Sequence, residues 1–331
     1  MNTKKIGVIG AGGWGTALSI LLAENSDATL WVREKDLIKE IEKKRENTWF
    51  LPGVKIPESL NLDNHIGKVA ESDILFVAVP SEFFRSTAKR IKDHVSRDAI
   101  VVSVAKGLEP GTYKRMFEIL EEELDNENIV VLSGTNHCEE VGKKIPTATV
   151  IASSKKSIMS DVKEALSTSY FKVYPHDDVP GVEICGAIKN VTAIAAGVCD
   201  GLGLGDNSRA SIITLGLREM NMFGRHFGAK RKTFYGLAGV GDLVATCTSN
   251  HSRNRFVGHK IAEGKSFDDI KEEMHGMVAE GIKTAKAVYE FSCKHNLDMP
   301  LTSQVYKVLY ERKELKKAIK EERRKYLRAR Y

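Results

Sequence analysis

Seven aliphatic runs mark the first half of the chain, at 5–9, 29–32, 74–79, 100–104, 129–133, 147–152 and 171–174. Most are unbroken Val, Ile, Leu and Ala rather than alternating apolar and polar positions. Strands covered on both faces of a parallel sheet have this pattern. Helical periodicity lies between them, at 13–25, 35–45, 83–94 and 111–124 among others. The alternation predicts βαβ units and an α/β fold with a Rossmann-type doubly wound sheet. After about Pro180 the strand pattern stops. Helical spacing takes over at 182–200, 207–228, 253–263, 267–274, 281–295 and 303–324, punctuated by Gly-rich turns at 201–205 and 236–241. Pro175 and Pro180 bracket the change, which predicts an α/β domain over 1–178 and an all-helical domain over 179–331.

A length of 331 residues suits two such domains, each able to build its own core. No apolar run is read as reaching the roughly 18–20 residues that cross a bilayer, so no transmembrane segment is expected. The first five residues lead straight into a strand and lack the features of a secretion signal, which points to the cytoplasm. Five cysteines, an odd number at wide spacing, fit neither a disulfide framework nor a zinc site. The net charge of +6 is matched by residues 313–331 alone, which hold nine Lys or Arg and three Glu. That basic tail reads as a solvated helix with Glu–Lys pairs, and no nucleic-acid partner is expected from it.

The chemistry begins at the first turn. Gly10, Gly12 and Gly15 form G-x-G-x-x-G between a strand and a helix. In that context the first glycine permits the tight turn, the second lets a pyrophosphate approach the backbone, and the third lets helix and strand pack closely. The helix N-terminus favours the phosphate charge. Residues 1–178 are therefore expected to bind a nicotinamide dinucleotide. At the end of the second strand stand Arg33 and Glu34 rather than a single acidic residue. Arg33 suits a 2′-phosphate, which favours NADPH over NADH.

Three strand ends carry polar groups towards the same edge of the expected sheet: Val79–Pro80–Ser81, Lys106 and Gly134–Thr135–Asn136. The helical half holds Lys189 and Asn190 inside an apolar stretch. Desolvation lowers the proton affinity of such a lysine, which suits proton exchange with a carbonyl oxygen; a lysine that snorkels to water is the competing reading. Asp242, in a Gly-rich apolar setting, needs a partner or a helix to cap, and Lys189 is the candidate partner. Ser252, Arg253 and Asn254 cluster at a helix start, a combination matched to a phosphate dianion or to simple capping. Glu280 opens a further helix.

These segments together resemble the bacterial-type NAD(P)-dependent glycerol-3-phosphate dehydrogenases along nearly the whole chain. The resemblance is carried by GAGGWGTAL at 10–18, FLP at 50–52, SVAKGLE at 103–109 and GAIKNVTAIAAG at 186–197. It continues in DGLGLGDN at 200–207, GLAGVGDL at 236–243, TCTSNHSRNR at 246–255 and AEG at 279–281. It implies NAD(P)H-dependent reduction of dihydroxyacetone phosphate to sn-glycerol 3-phosphate, supplying phospholipid synthesis, in a homodimer. Lys189 matches the general acid/base, with Asp242 beside it. Lys106, Gly134, Asn136, Asn190, Asp242, Ser252, Arg253 and Asn254 match substrate positions. Gly10, Gly12, Gly13, Trp14, Gly15, Arg33, Glu34, Phe50, Lys106, Cys138, Arg253, Val278 and Glu280 match cofactor positions. No metal is implied. One segment departs from the family: Gly134–Thr135–Asn136–His137–Cys138 lacks the usual proline and has an amide where a hydroxyl is common. Two other readings compete, a β-hydroxyacid dehydrogenase with a lysine acid/base, and a dinucleotide-sensing protein that binds nucleic acid through its basic tail.

Overall fold

The computed structural model describes residues 4–274 and 279–328, and these divide into two compact units. One unit runs to Lys106 and resumes over Lys114–Glu183; the other takes Gly107–Tyr113 and the chain from Ile184 onward.

In the first unit the strands are β1 (Lys5–Ile9), β2 (Asp27–Trp31), β3 (Glu46–Asn47), β4 (Leu51–Lys55), β5 (Asn61–Asp63), β6 (Ile74–Val77), β7 (Ile100–Ser103), β8 (Ile129–Thr135), β9 (Thr147–Ala152) and β10 (Phe171–His176). Its helices are α1 (Gly13–Leu22), α2 (Lys35–Lys44), α3 (Ile66–Ala70), α4 (Ser81–Ile91), α5 (Met116–Glu123), α6 (Cys138–Gly142) and α7 (Lys156–Leu166). Eight strands form one sheet in the order β10-β9-β8-β7-β6-β1-β2-β5. Successive side chains of β1 enter two different cores: Ile6 and Val8 pack with α1, α2 and α7, while Ile9 packs with α3, α4 and α5. Both faces are covered, which is why β1, β6, β7 and β8 are largely aliphatic.

The sheet is parallel except at one pair, where β9 runs antiparallel to β8. That reversal corrects a uniformly parallel reading. The connection from Thr135 to Thr147 holds only the short α6. It is near the lower limit for a parallel crossover but ample for reversal. Three short strands, β3 to β5, escaped the aliphatic pattern. The helix expected over 111–124 starts only at Met116, because Gly111 and Tyr113 adopt positive φ of 83° and 62°.

The second unit is helical among its described residues: α8 (Val179–Gly201, begun in the first unit), α9 (Gly205–His226), α10 (Asp242–Thr248), α11 (Arg253–Ala262), α12 (Phe267–Glu273), α13 (Glu280–Lys294), α14 (Pro300–Tyr310) and α15 (Leu315–Arg328). The helix expected over 303–324 is two helices, α14 and α15, separated where Arg312 turns to a φ of 54°. The expectation that no segment is apolar enough to span a bilayer also needs correction. Helix α8 has 23 residues and passes by length and composition, but 94% of its most apolar stretch is buried inside the protein. It is the core helix of this unit. Its backbone touches that of α11: a methyl at Gly258 would lie 1.9 Å from the Ile194 carbonyl oxygen, and one at Gly197 would lie 1.9 Å from that of Arg255.

Candidate active site

In the first unit the chain leaves β1 into a turn shaped by three glycines. Gly10 has a φ of 115°, and a side chain at Gly15 would collide with the Gly10 carbonyl oxygen at 1.9 Å. Both glycines are therefore fixed by the fold itself. Gly12 differs. Its backbone is extended, with φ −69° and ψ 176°, and a methyl group there would meet no atom within 4 Å. Neither conformation nor internal packing explains the glycine, whereas a ligand approaching the Cα does. A dinucleotide pyrophosphate fits this cradle, beside the first N–H groups of α1. Close by, Trp14 carries a buried Nε1 with no hydrogen-bond partner. Cys138 Sγ lies 3.0 Å from where a Gly13 side chain would start, and the Phe50 carbonyl oxygen 2.7 Å.

Sequence reasoning missed the brace beneath this turn. Asn47 is fully buried. Its Nδ2 donates to the Ala11 carbonyl at 2.9 Å and to Thr16 Oγ1 at 2.8 Å, and its Oδ1 accepts from Phe50 N at 3.1 Å. One buried amide thus ties the Gly-rich turn to the 47–50 segment. A single Asn beside charged residues gives no local signal of that role. At the end of β2, Arg33 donates to Glu34 Oε1 through Nε at 2.7 Å and lies 2.5 Å from it through Nη2, with its side chain 67% exposed. An exposed pair of this kind contributes about 0.2–1 kcal/mol.

Lys106 follows β7 and donates to the Gly134 carbonyl at 2.8 Å and to Asn136 Oδ1 at 2.5 Å. The altered segment is thereby tied to Lys106. Asn136 is buried, and its amide oxygen receives the lysine. The segment does not need proline to be rigid, because β9 pairs with it at Gly134↔Thr149 and Thr135↔Ala148.

In the second unit Lys189 lies on α8, 5% exposed. Its ammonium donates to Asp242 Oδ1 at 2.5 Å and to Thr246 Oγ1 at 2.7 Å. A π-helical turn, Leu237–Gly241, delivers Asp242 to the first position of α10, itself 1% exposed. Asp242 stands inside the first turn of α10, after the N-cap Gly241, and is the counter-ion of the lysine. Snorkelling is excluded by the same contact. A buried ion pair is stable only when further hydrogen bonds surround it, and Thr246 supplies one. Its hydroxyl donates to the Asp242 carbonyl at 2.7 Å and so offers its lone pairs to the ammonium. Thr246 was not anticipated, since a helical threonine bonding back one turn is commonplace. The neighbouring thiol, Cys247, is pushed up to about 12 by burial, which keeps it protonated at neutral pH.

Helix α11 opens with the Ser252–Arg255 cluster. Ser252 Oγ accepts from Arg255 N at 3.2 Å as an ordinary N-cap. Arg255 turns away to Asp200, 2.6 Å from its Nε, where Arg209 also binds at 2.8 Å. Arg253, at the first helical position, is half-buried. Asn254 is buried, and its amide bonds Asn190 and Gly281. Glu280 is the first residue of α13. Val278 lies outside the described residues.

Two family models match the chain. The NAD-dependent glycerol-3-phosphate dehydrogenase N-terminus covers residues 5–159, and the C-terminus of the same family covers 178–320. The chain is 46% identical over 321 residues to a glycerol-3-phosphate dehydrogenase [NAD(P)+] of Solidesulfovibrio magneticus, covering 96% of this chain and 97% of the relative. It is 42% identical over 320 residues to the protein of that name from Clostridium botulinum, covering 96% of each. A crystal structure of glycerol-3-phosphate dehydrogenase from Coxiella burnetii superposes with a TM-score of 0.92 at 36% identity, over 96% of this chain and 98% of that one.

Proposed function

The chain belongs to the NAD-dependent glycerol-3-phosphate dehydrogenase family, and from that premise we propose which of its residues carry the reaction. The enzyme reduces dihydroxyacetone phosphate to sn-glycerol 3-phosphate, reversibly, with NADH or NADPH. The observation that supports the residue assignment is the buried Lys189 ammonium, held by Asp242 at 2.5 Å and Thr246 at 2.7 Å. A bound reduced nicotinamide supplies hydride to the carbonyl carbon. Lys189 gives a proton to the carbonyl oxygen, so that C=O becomes CH–OH, and regains it from water. In the reverse direction the lysine removes the proton. Asp242 balances the ammonium charge, and Thr246 fixes its direction.

Arg253 and the first turn of α11, with Ser252, are assigned to the substrate phosphate. Lys106, Gly134, Asn136, Asn190 and Asn254 are assigned to the substrate as well. Gly10, Gly12, Gly13, Trp14, Gly15, Arg33, Glu34, Phe50, Cys138 and Glu280 are assigned to the cofactor, together with Lys106 and Arg253. Residues 1–178 serve as the dinucleotide-binding domain and 179–331 as the catalytic domain. Arg33 favours NADPH, because its exposed pair with Glu34 yields readily to a 2′-phosphate. The protein works in the cytoplasm as a homodimer and supplies phospholipid synthesis.

The test is oxidation of NADPH and of NADH by dihydroxyacetone phosphate, with wild type and Lys189→Ala. Wild type turns over with both cofactors, and kcat/KM is higher with NADPH. The variant loses roughly 10²–10⁴ in kcat, the usual share of a general acid, and binds NADPH as before. Near-wild-type turnover in Lys189→Ala sinks the assignment.

A further inference from the structure

A chain of buried side-chain amides joins three helices beside Lys189. Gly281 N, on α13, donates to Asn254 Oδ1 at 2.9 Å. Asn254 Nδ2, on α11, donates to Asn190 Oδ1 at 3.0 Å. Asn190 Nδ2, on α8, donates to the Gly186 carbonyl at 3.2 Å. The two ends fix the direction of the chain. A backbone N–H only donates and a backbone C=O only accepts, so turning over either amide breaks a bond. Asn190 is 5% and Asn254 8% exposed, so a broken contact leaves a buried amide unsatisfied.

The junction has no slack. A methyl at Gly281 would lie 2.6 Å from the Asn190 carbonyl oxygen and 2.7 Å from Asn254 Oδ1. A methyl at Gly258 would lie 1.9 Å from the carbonyl of Ile194, one turn further along α8. Helix α8 is thus seated against α11 and α13 at the residue that follows Lys189. The lysine then has to reach across to α10, where Asp242 and Thr246 hold its ammonium. That reach depends on where α8 sits.

We propose that Asn254 is a positioning residue for Lys189: through Asn190 it seats α8 so that the ammonium meets Asp242 and Thr246. This role is additional to any bond its second amide N–H makes to the substrate phosphate. It rests on the reading of Lys189 as the proton donor.

A substrate lacking the phosphate separates the two roles. Asn254→Ala is assayed with dihydroxyacetone phosphate and with dihydroxyacetone. A group that only holds the phosphate affects the first substrate alone. A positioning residue lowers turnover of both by similar factors, roughly 10- to 100-fold for a displacement of an ångström or less, with a smaller change in KM. Gly281→Ala, which alters no side chain of the cluster, gives the same pattern, and the double variant is no worse than the more impaired single one. Should Asn254→Ala fail to fold, Asn254→Ser keeps a polar group in the junction and is read in the same way.

A second readout does not use activity. The NMR titration of the Lys189 side chain moves in Asn254→Ala if the contact with Asp242 is lost. Wild-type turnover of dihydroxyacetone by Asn254→Ala, with an unmoved Lys189 titration, overturns the proposal. If instead Lys189→Ala stays active while the Lys189 titration does shift in Asn254→Ala, the seating holds and the proton-donor assignment is what fails.

Discussion

A methyl group at Gly12 would meet nothing within 4 Å, whereas one at Gly258 would lie 1.9 Å from a carbonyl oxygen of the neighbouring helix. The same residue type answers opposite demands in the two units. In the Gly-rich turn, one glycine borders open space. In the helical unit, glycines let backbones touch, so that amide side chains join α8, α11 and α13. The proposed pyrophosphate site rests on the first kind of glycine and the proposed seating of Lys189 on the second. Their substitutions should therefore separate stability from cofactor affinity.

The largest effects are expected where the space is already filled. Gly15→Ala and Gly258→Ala each drive a methyl into a backbone oxygen at 1.9 Å, which no rotamer relieves. Ordinary overpacking costs about 1–3 kcal/mol, and these two should reach or exceed ~3 kcal/mol. For a unit of roughly 150–250 residues that unfolds on its own, that is a fall in Tm of roughly 6–12 °C, read by thermal unfolding. Melting points within a degree or two of wild type would show that the backbones have room to part, and the contrast with Gly12 would disappear.

Gly12→Ala should do the reverse. Its extended backbone suits alanine, and nothing in the fold opposes the methyl group. The Tm stays near wild type, while KM for the dinucleotide rises about tenfold or more, the equivalent of ~1.4 kcal/mol of lost binding. Fluorescence titration with NADPH measures it directly. Unchanged affinity would remove the reason for placing the pyrophosphate at this glycine.

The contrast also explains what the sequence made legible. The Gly-rich turn and the strands β1, β6, β7 and β8 are local features, and burial on both faces of a sheet writes itself as an aliphatic run. The Lys189–Asp242 pair spans 53 positions. It was legible only because a charge in an apolar helix and a carboxylate among glycines each demand a partner. Thr246 and Asn47 carry no such demand, since uncharged polar residues are common on helices and in loops. Neither did the break between α14 and α15 show, because Glu311, Arg312 and Lys313 continue the polar pattern without a Gly or Pro to mark the turn. The sequence pattern predicts α8 as a helix but not as one long and apolar enough to cross a bilayer; its apolar length reflects the core of a helical unit, since 94% of its most apolar stretch is buried.

A last, smaller difference between the units is electrostatic. Each buries a glutamate, Glu183 in the first and Glu219 in the second, and burial pushes both up to about 7. Glu183 faces the Arg115 guanidinium at 2.8 Å. Among the described residues Glu219 accepts from neutral donors, Leu301 N at 2.5 Å, Thr302 N at 3.0 Å and Thr302 Oγ1 at 2.6 Å, and the Asp298 charge adds to the effect of burial. Because each carboxyl holds its proton more tightly folded than unfolded, its contribution to stability is complete below the ordinary value of 4.5 and is lost as pH rises through about 7. Within that window one such group gives a slope of up to ~1.4 kcal/mol per pH unit. Glu219→Gln removes the titration while keeping the shape. Urea unfolding at pH 5.5, 6.5 and 7.5 should therefore show the variant losing to wild type at the lowest pH and approaching it at the highest. The gap between them should close by about 1–2 kcal/mol across the series. Parallel curves would mean that the three donors to Glu219 outweigh its burial, leaving Glu183 with Arg115 as the carboxylate more exposed to pH.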